Sequence, residues 1–298
     1  MLSVEHLTKK YGALTAVDDL SFSIRSGRVV GFLGPNGAGK TTTLRIALGL
    51  TSATSGEATF DGVPYRRLAH PTQQVGAVLE ASSFHPGRTA RDHLLMLATG
   101  AGISKARCGE LLDLVGLGPA ADRRVGTYST GMRARLSLAG ALLGDPQVLL
   151  LDEPTNGLDP EGIAWMRALT RELANSGKSV LVSSHLLSEV QHSVDDVVII
   201  SHGRLLHASP LSDLAQARGG QTEVVAADFE ALVRLAASQG WETREPPGGG
   251  AGLVVVGPTA AQIGHVAHLW GVELHQLATQ RSALESAFLA LTEGDGIR

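Results

Sequence analysis

The chain has 298 residues, enough for about two domains at ~100–200 residues each, and its 43% hydrophobic and 18% charged residues exclude wholesale disorder. With 25 Lys and Arg against 29 Asp and Glu the net charge is -4, and aromatics are only 4%, which argues against a nucleic-acid partner, since such binders carry a basic footprint and stacking rings. The 36 glycines follow no Gly-X-Y period, so collagen is excluded, and the lone Cys108 cannot build a disulfide framework or a cysteine zinc site within the chain.

The chain starts MLSVEHLTKKYG, without the apolar run of a secretory signal. No uninterrupted apolar stretch reaches the ~18 residues that a membrane span needs, so a soluble chain in a reducing cytosol is expected. Leu2–Leu7 and Leu20–Ile24 read as antiparallel strands. Arg28–Leu33 is a short apolar run after Ser26-Gly27, which suits a buried strand. It leads into Gly34-Pro35-Asn36-Gly37-Ala38-Gly39-Lys40-Thr41 and then a helix-like TTTLRIALGL. This matches G-x-x-x-x-G-K-[ST] between a strand and a helix, the context that separates a phosphate-binding loop from a glycine-rich turn. The glycines let backbone N–H groups wrap a polyphosphate, and the helix aims its positive end at it. Lys40 reaches the β- and γ-phosphates and Thr41 binds Mg²⁺ in such a loop.

Val75–Leu79 is the next buried strand, followed by helices at Thr89–Thr99 and Ser104–Val115. Tyr128-Ser129-Thr130-Gly131-Met132 opens a helix over Thr130–Leu143 with Met132, Leu136, Ala139 and Leu143 on one face. Val148–Leu151 is a strand that delivers Asp152 and Glu153 at its end. Alone, these would read as solvated acids. Behind a phosphate loop, Asp152 suits the magnesium shell and Glu153 suits a base that orients or deprotonates the attacking water. A helix at Pro160–Asn175, a strand at Ser179–Ser183, a helix at His185–His192 and a strand at Asp196–Ile200 complete the series. The alternation predicts an α/β fold with a mostly parallel sheet and flanking helices.

Composition shifts at Ala217-Arg218-Gly219-Gly220, dividing the chain into 1–218 and 219–298. Beyond it come strand Thr222–Ala226, helix Asp228–Gln239, strand Trp241–Arg244, loop Glu245–Gly252, strand Leu253–Val256, helix Thr259–Trp270 and strand Val272–Leu277. That is the βαββαβ order of a small α+β ferredoxin-like domain. A last helix, Ser282–Thr292, puts Leu284, Phe288 and Leu291 on one face. This accessory unit carries no catalytic constellation; packing two subunits together or bracing the first domain is its plainest role, with a regulatory ligand site as the alternative.

The segment Tyr128–Met132, placed shortly before the Asp152-Glu153 strand, resembles the signature of the ATP-binding cassette (ABC) ATPases, and the resemblance covers essentially residues 1–218. It implies a nucleotide-binding domain with an antiparallel β subdomain and a helical subdomain. It implies that ATP is held by Gly34, Asn36, Gly37, Ala38, Gly39, Lys40, Thr41 and Thr42, with Tyr11 stacked on adenine. Gly157-Leu158-Asp159 resembles the loop that crosses to the other subunit, and His185 the switch histidine on the γ-phosphate. Glu153 and His185 are thus the catalytic pair. Ser129, Gly131, Met132 and Asp159 complete the site of a second nucleotide-binding subunit, in a homodimer that closes on ATP.

Two positions depart from the family pattern. In Val75-Gly76-Ala77-Val78-Leu79-Glu80 the usual Gln is Glu80, a hard ligand that joins Thr41 and Asp152 around Mg²⁺, or else a solvated strand-end acid. The signature has Thr130 and Met132 where Gly and Gln are usual. These features, the stretch Phe84–Asp92 and the tail Leu284–Leu289 resemble the ABC-2-type branch that exports bacitracin, lantibiotics and other drugs. The resemblance implies an exporter ATPase at the cytoplasmic face of the cell membrane, peripheral and held there by separate permease chains that the loop through Phe84, His85 and Arg91 contacts. The alternatives are a soluble ABC ATPase of the ribosome or DNA, which the single cassette, the lack of coiled coils and the acidic charge disfavour, and an importer ATPase.

Overall fold

The computed structural model describes residues 1–79, 84–186, 193–216, 220–246 and 252–279, which form two compact units divided between Ala208 and Ser209. The division falls ahead of the expected 218/219, because the short helix Leu211–Gln216 clusters with the second unit.

In the first unit the two N-terminal strands are longer than the apolar runs suggest. β1 (Leu2–Tyr11) and β2 (Leu14–Ile24) form an antiparallel pair, and β1 also pairs with β4 (Ser55–Phe60), giving a three-stranded sheet in the order β2-β1-β4. β4 escapes sequence reading because its first half is exposed and glycine-containing; its identity comes from pairing Leu2 with Phe60. A second sheet has the order β5-β6-β7-β3-β8-β9, from β3 (Val29–Leu33), β5 (Val75–Val78), β6 (Val148–Leu151), β7 (Ser179–Ser184), β8 (Asp196–Ser201) and β9 (Arg204–Pro210). Its pairs from β5 to β8 are parallel. Strands β3, β6 and β7 are buried at every residue, the mark of parallel strands covered on both faces. One core cluster runs between the two sheets and takes in Leu20, Phe22, Phe32, Leu44, Phe60 and Leu150.

The helices of this unit are α1 (Lys40–Ala47), the single turn α2 (Pro71–Gln74), α3 (Ala90–Ala101), α4 (Lys105–Leu114), α5 (Thr130–Ala141) and α6 (Pro160–Asn175). Thr89 caps α3 and Ser104 caps α4, so both helices begin one residue inside the expected spans. Helices α3, α4 and α5 pack on one another, while α5 also lies on β5. That double packing corrects the single apolar face expected for α5. Its buried residues are Ala134, Leu136, Leu138 and Ala139, and Met132 is only half-buried.

The second unit contains α7 (Leu211–Gln216) and a β-α-β-β-α-β series: β10 (Gly220–Ala226), α8 (Phe229–Ser238), β11 (Glu242–Arg244), β12 (Leu253–Gly257), α9 (Ala260–Leu269) and β13 (Leu274–Thr279). The sheet order is β11-β12-β10-β13, all antiparallel, and Val224, Leu232, Val255 and Ile263 form its core. Several expected features lie outside the described residues: Glu80, the helix past Leu186, the centre of the 245–252 loop, and the last helix Ser282–Thr292.

Candidate active site

Strand β3 ends in the loop Gly34–Gly39, and α1 follows at once. Two glycines make this geometry possible. A Cβ on Gly34 would run into the Ile200 carbonyl oxygen, and Gly39 sits at φ +102 with its Cβ position 2.5 Å from the Ala16 carbonyl oxygen. The first turn of α1 leaves its N–H groups without intrahelical acceptors, next to the loop. Lys40 is 6% exposed. Its Nζ donates to the carbonyl oxygens of Gly34 at 2.7 Å and Pro35 at 3.2 Å, and lies 3.3 Å from Glu153 Oε1.

The carboxylates arrive from β6, beside β7 and β5. Asp152 N–H donates to Val78 O at 2.8 Å, prolonging the β5–β6 pairing by one step. Asp152 Oδ2 accepts from Thr41 Oγ1 at 2.7 Å and Oδ1 accepts from Ser183 Oγ at 2.5 Å. Glu153 breaks out of the strand with φ 47, a left-handed conformation that costs a non-glycine residue about 1–2 kcal/mol. Its N–H donates to Ser183 Oγ at 2.9 Å, and its Oε2 lies 2.9 Å from His185 Nδ1. Glu153 is therefore held at both oxygens, by Lys40 and by His185.

A cavity of about 290 Å³ collects Asn36, Gly37, Ala38, Gly39, Lys40, Thr41, Thr42, Glu153 and His185 of the expected residues, with Ala16 and Asn156 besides. Thr41 Oγ1 donates to Asp152 Oδ2 at 2.7 Å, which brings together two oxygen ligands of the type that a hard divalent cation takes. Gly34 and Tyr11 do not line the cavity. Gly34 contributes the carbonyl that holds Lys40. Tyr11 stands 49% exposed at the end of β1, with the Lys9 ammonium 4.6 Å from its ring centroid and Lys9 Nζ donating to Ser52 O at 2.8 Å. Sequence reading missed Ala16, Asn156 and Ser183. Only Ser183 carried a signal, a small polar residue at the carboxyl end of an apolar strand.

The other expected group gathers elsewhere. Ser129 caps α5 by accepting from Met132 N–H at 3.2 Å, and Asp159 caps α6 by accepting from Gly162 N–H at 2.8 Å. Ser129, Gly131, Met132, Leu158 and Asp159 border one cavity of about 330 Å³. The Arg135 guanidinium closes its wall, 4.2 Å from the Trp165 ring centroid and 3.1 Å from the Val115 carbonyl oxygen. The two cavities share no lining residue. A third, of about 570 Å³, is lined by Leu50, Tyr65, Leu79, Phe84, His93 and Leu97 among others. In it the His93 ring lies edge-on to Phe84 at 4.8 Å, its Nδ1 is buried without a partner, and burial, seconded by the Arg88 charge, pushes its pKa below 6.5.

The sequence matches the family model described as ABC transporter over residues 17–156, and a model of a domain of unknown function over residues 220–285. The bacitracin transport ATP-binding protein BcrA of Bacillus licheniformis is 36% identical over 100% of this chain and 99% of its own length. The lantibiotic transport ATP-binding protein SrtF of Streptococcus pyogenes is 37% identical over 69% of this chain and 89% of its own. Among solved structures, an ATP-binding subunit of an ABC transporter superimposes with a TM-score of 0.66 at 27% identity, over 73% of this chain and 92% of the other. A dimeric bacterial ABC transporter cassette gives 0.64 at 25% identity, over 71% and 99%.

Proposed function

The chain belongs to the ABC transporter family, and on that premise we propose that it is the ATP-hydrolysing subunit of an exporter whose membrane-spanning part is a separate chain. One observation carries the chemistry: Lys40, Thr41, Asp152, Glu153 and His185 are joined by hydrogen bonds and ion pairs around the phosphate loop. The triphosphate docks on the amides at the start of α1, whose dipole favours negative charge. Lys40 is then offered phosphate oxygens in place of Glu153, and its departure frees Glu153 Oε1. Glu153 takes a proton from a water whose oxygen bonds to the γ-phosphorus. The bond from that phosphorus to the β–γ bridging oxygen breaks, and ADP and phosphate result. His185 holds Oε2 meanwhile and keeps the carboxylate aimed. Thr41 and Asp152 are the residues here that fit Mg²⁺, with Glu80 added by resemblance; when bound, the ion neutralises charge on the β- and γ-phosphate oxygens.

Two copies of the chain complete one another in this reading. The hydroxyl hydrogen of Ser129 is left free by its capping role, since the cap uses only a lone pair, and it lies at a helix N-terminus suited to an anion. The phosphate-loop cavity of one copy therefore faces Ser129, Gly131, Met132 and Asp159 of the other. ATP bridges the dimer, and hydrolysis removes the bridging charge. The groove that contains Phe84, His93 and Leu97 takes the permease, which keeps the subunit at the cytoplasmic face of the membrane. Among the described residues no helix is long and apolar enough to cross a membrane.

The relatives named for bacitracin and lantibiotic transport point to peptide antibiotics as the exported class. Expression together with the cognate membrane chain should raise resistance to bacitracin or to a lantibiotic, and Lys40→Ala should remove the gain. Unchanged susceptibility across cyclic peptides, lantibiotics and small drugs would overturn the export assignment.

A further inference from the structure

We propose that Ser183 is a positioning residue of the hydrolytic site, a buried hydroxyl that ties the Asp152 carboxylate to the backbone of Glu153. Ser183 is 0% exposed and stands next to last in β7, a strand flanked by β6 and β3. The regular β6–β7 register ends with Leu151 opposite Val182. One step further the side chain takes over from the backbone ladder. Ser183 Oγ accepts the Glu153 N–H at 2.9 Å and donates its only hydrogen to Asp152 Oδ1 at 2.5 Å. Asp152 Oδ2 accepts from Thr41 at 2.7 Å, so the carboxylate is fixed at both oxygens.

Each bond answers a local need. Glu153 has left the strand with φ 47, and its amide requires a new acceptor at a part-buried position. Asp152 is 8% exposed and needs a donor on the side away from Thr41. One hydroxyl meets both needs, which links the carboxylate offered to the cation with the turn that aims the base. Without it the carboxylate can rotate about χ2 and the turn loses its tether. A group that orients a metal-binding side chain in this way typically changes metal affinity or activity by about 10–100-fold.

The inference rests on the ATPase reading, and the experiment separates the two. Wild type, Ser183→Ala, Ser183→Cys and Ser183→Thr are loaded with a non-hydrolysable ATP analogue, and Mn²⁺ binding is titrated by electron paramagnetic resonance. Analogue binding without metal and thermal unfolding are recorded beside it. Ala and Cys should lose about tenfold or more in Mn²⁺ affinity, keep metal-free analogue binding within about twofold, and lose kcat without a matching rise in KM. Thr, which keeps the hydroxyl, should restore Mn²⁺ affinity. The chemical similarity of Cys in size guards against a mere packing defect in Ala. Folded Ala and Cys variants with wild-type Mn²⁺ affinity would overturn the role of Ser183. A wild-type protein that binds no analogue would overturn the ATPase reading and this inference together.

Discussion

Alanine at three left-handed glycines should separate backbone strain from steric conflict at the phosphate loop. Gly37 has φ +82 and Gly177 has φ +94, and a Cβ at either meets nothing within 4 Å. Gly39 has φ +102, and its Cβ would lie 2.5 Å from the Ala16 carbonyl oxygen and 3.4 Å from a Val17 methyl. The conformational cost alone is about 1–2 kcal/mol for a residue with a Cβ. Gly37→Ala and Gly177→Ala should therefore destabilise by about that amount. Gly39→Ala adds an overlap with backbone that cannot rotate away, worth a further ~1–3 kcal/mol, for a total of about 2–5 kcal/mol. Urea unfolding of the three variants gives the stabilities, and titration with a fluorescent ATP analogue gives the function. Gly177→Ala, which lies outside the nucleotide cavity, should bind the analogue as wild type does. Gly39→Ala should bind it poorly even at temperatures where it is folded, because the β2 end and α1 must part to admit the methyl group. Equal destabilisation by all three, with normal binding by Gly39→Ala, would mean that contact with the Ala16 carbonyl contributes nothing at Gly39.

Two further outcomes follow from the same geometry. Glu153→Gln should keep ATP binding and lose about 10²-fold or more in turnover, because a neutral amide cannot take the proton of water; gel filtration with ATP should show the variant accumulating as a dimer, and near-normal turnover would remove Glu153 from the role. Burial, seconded by the Arg88 charge, lowers the pKa of His93 from the ordinary histidine value and so favours its neutral form in the folded chain. The unfolded chain takes up this proton first, so stability falls as pH drops through about 6.5, by at most about 1.4 kcal/mol one pH unit lower. His93→Phe should show a smaller loss between pH 7.5 and 5.5 in urea unfolding, and an identical loss would contradict that account.

Much of the site could be read from the chain because its parts are local. A strand, six loop residues and a helix lie together from Val29 to Ala47, and the two carboxylates end their own strand. Ser129 and Asp159 were singled out only through the family resemblance, as signature and crossing-loop residues; in the structure they cap α5 and α6. What escaped depends on contacts distant in sequence. Ser183 meets Asp152 across 31 positions, through a strand order that the chain does not display. The clamp of Lys40 on Glu153 arises only once β3 and β6 lie in one sheet. Strand β4 is half exposed and gains its place from β1. Helix α5 shows no single apolar stripe because it is covered by β5 on one side and by α3 and α4 on others.

In the proposed dimer a working site takes its phosphate loop from one copy and its Ser129 helix from another. Lys40→Ala spoils the first half and Ser129→Arg the second, and each homodimer should be inactive. In an equal mixture, half of the dimers are heterodimers, and each has one of its two sites built wholly from intact parts. ATPase activity should then recover to about a quarter of wild type, as expected for a two-fold symmetric pair. No recovery, with both variants folded and the mixed dimer demonstrated by differential tagging, would contradict the account.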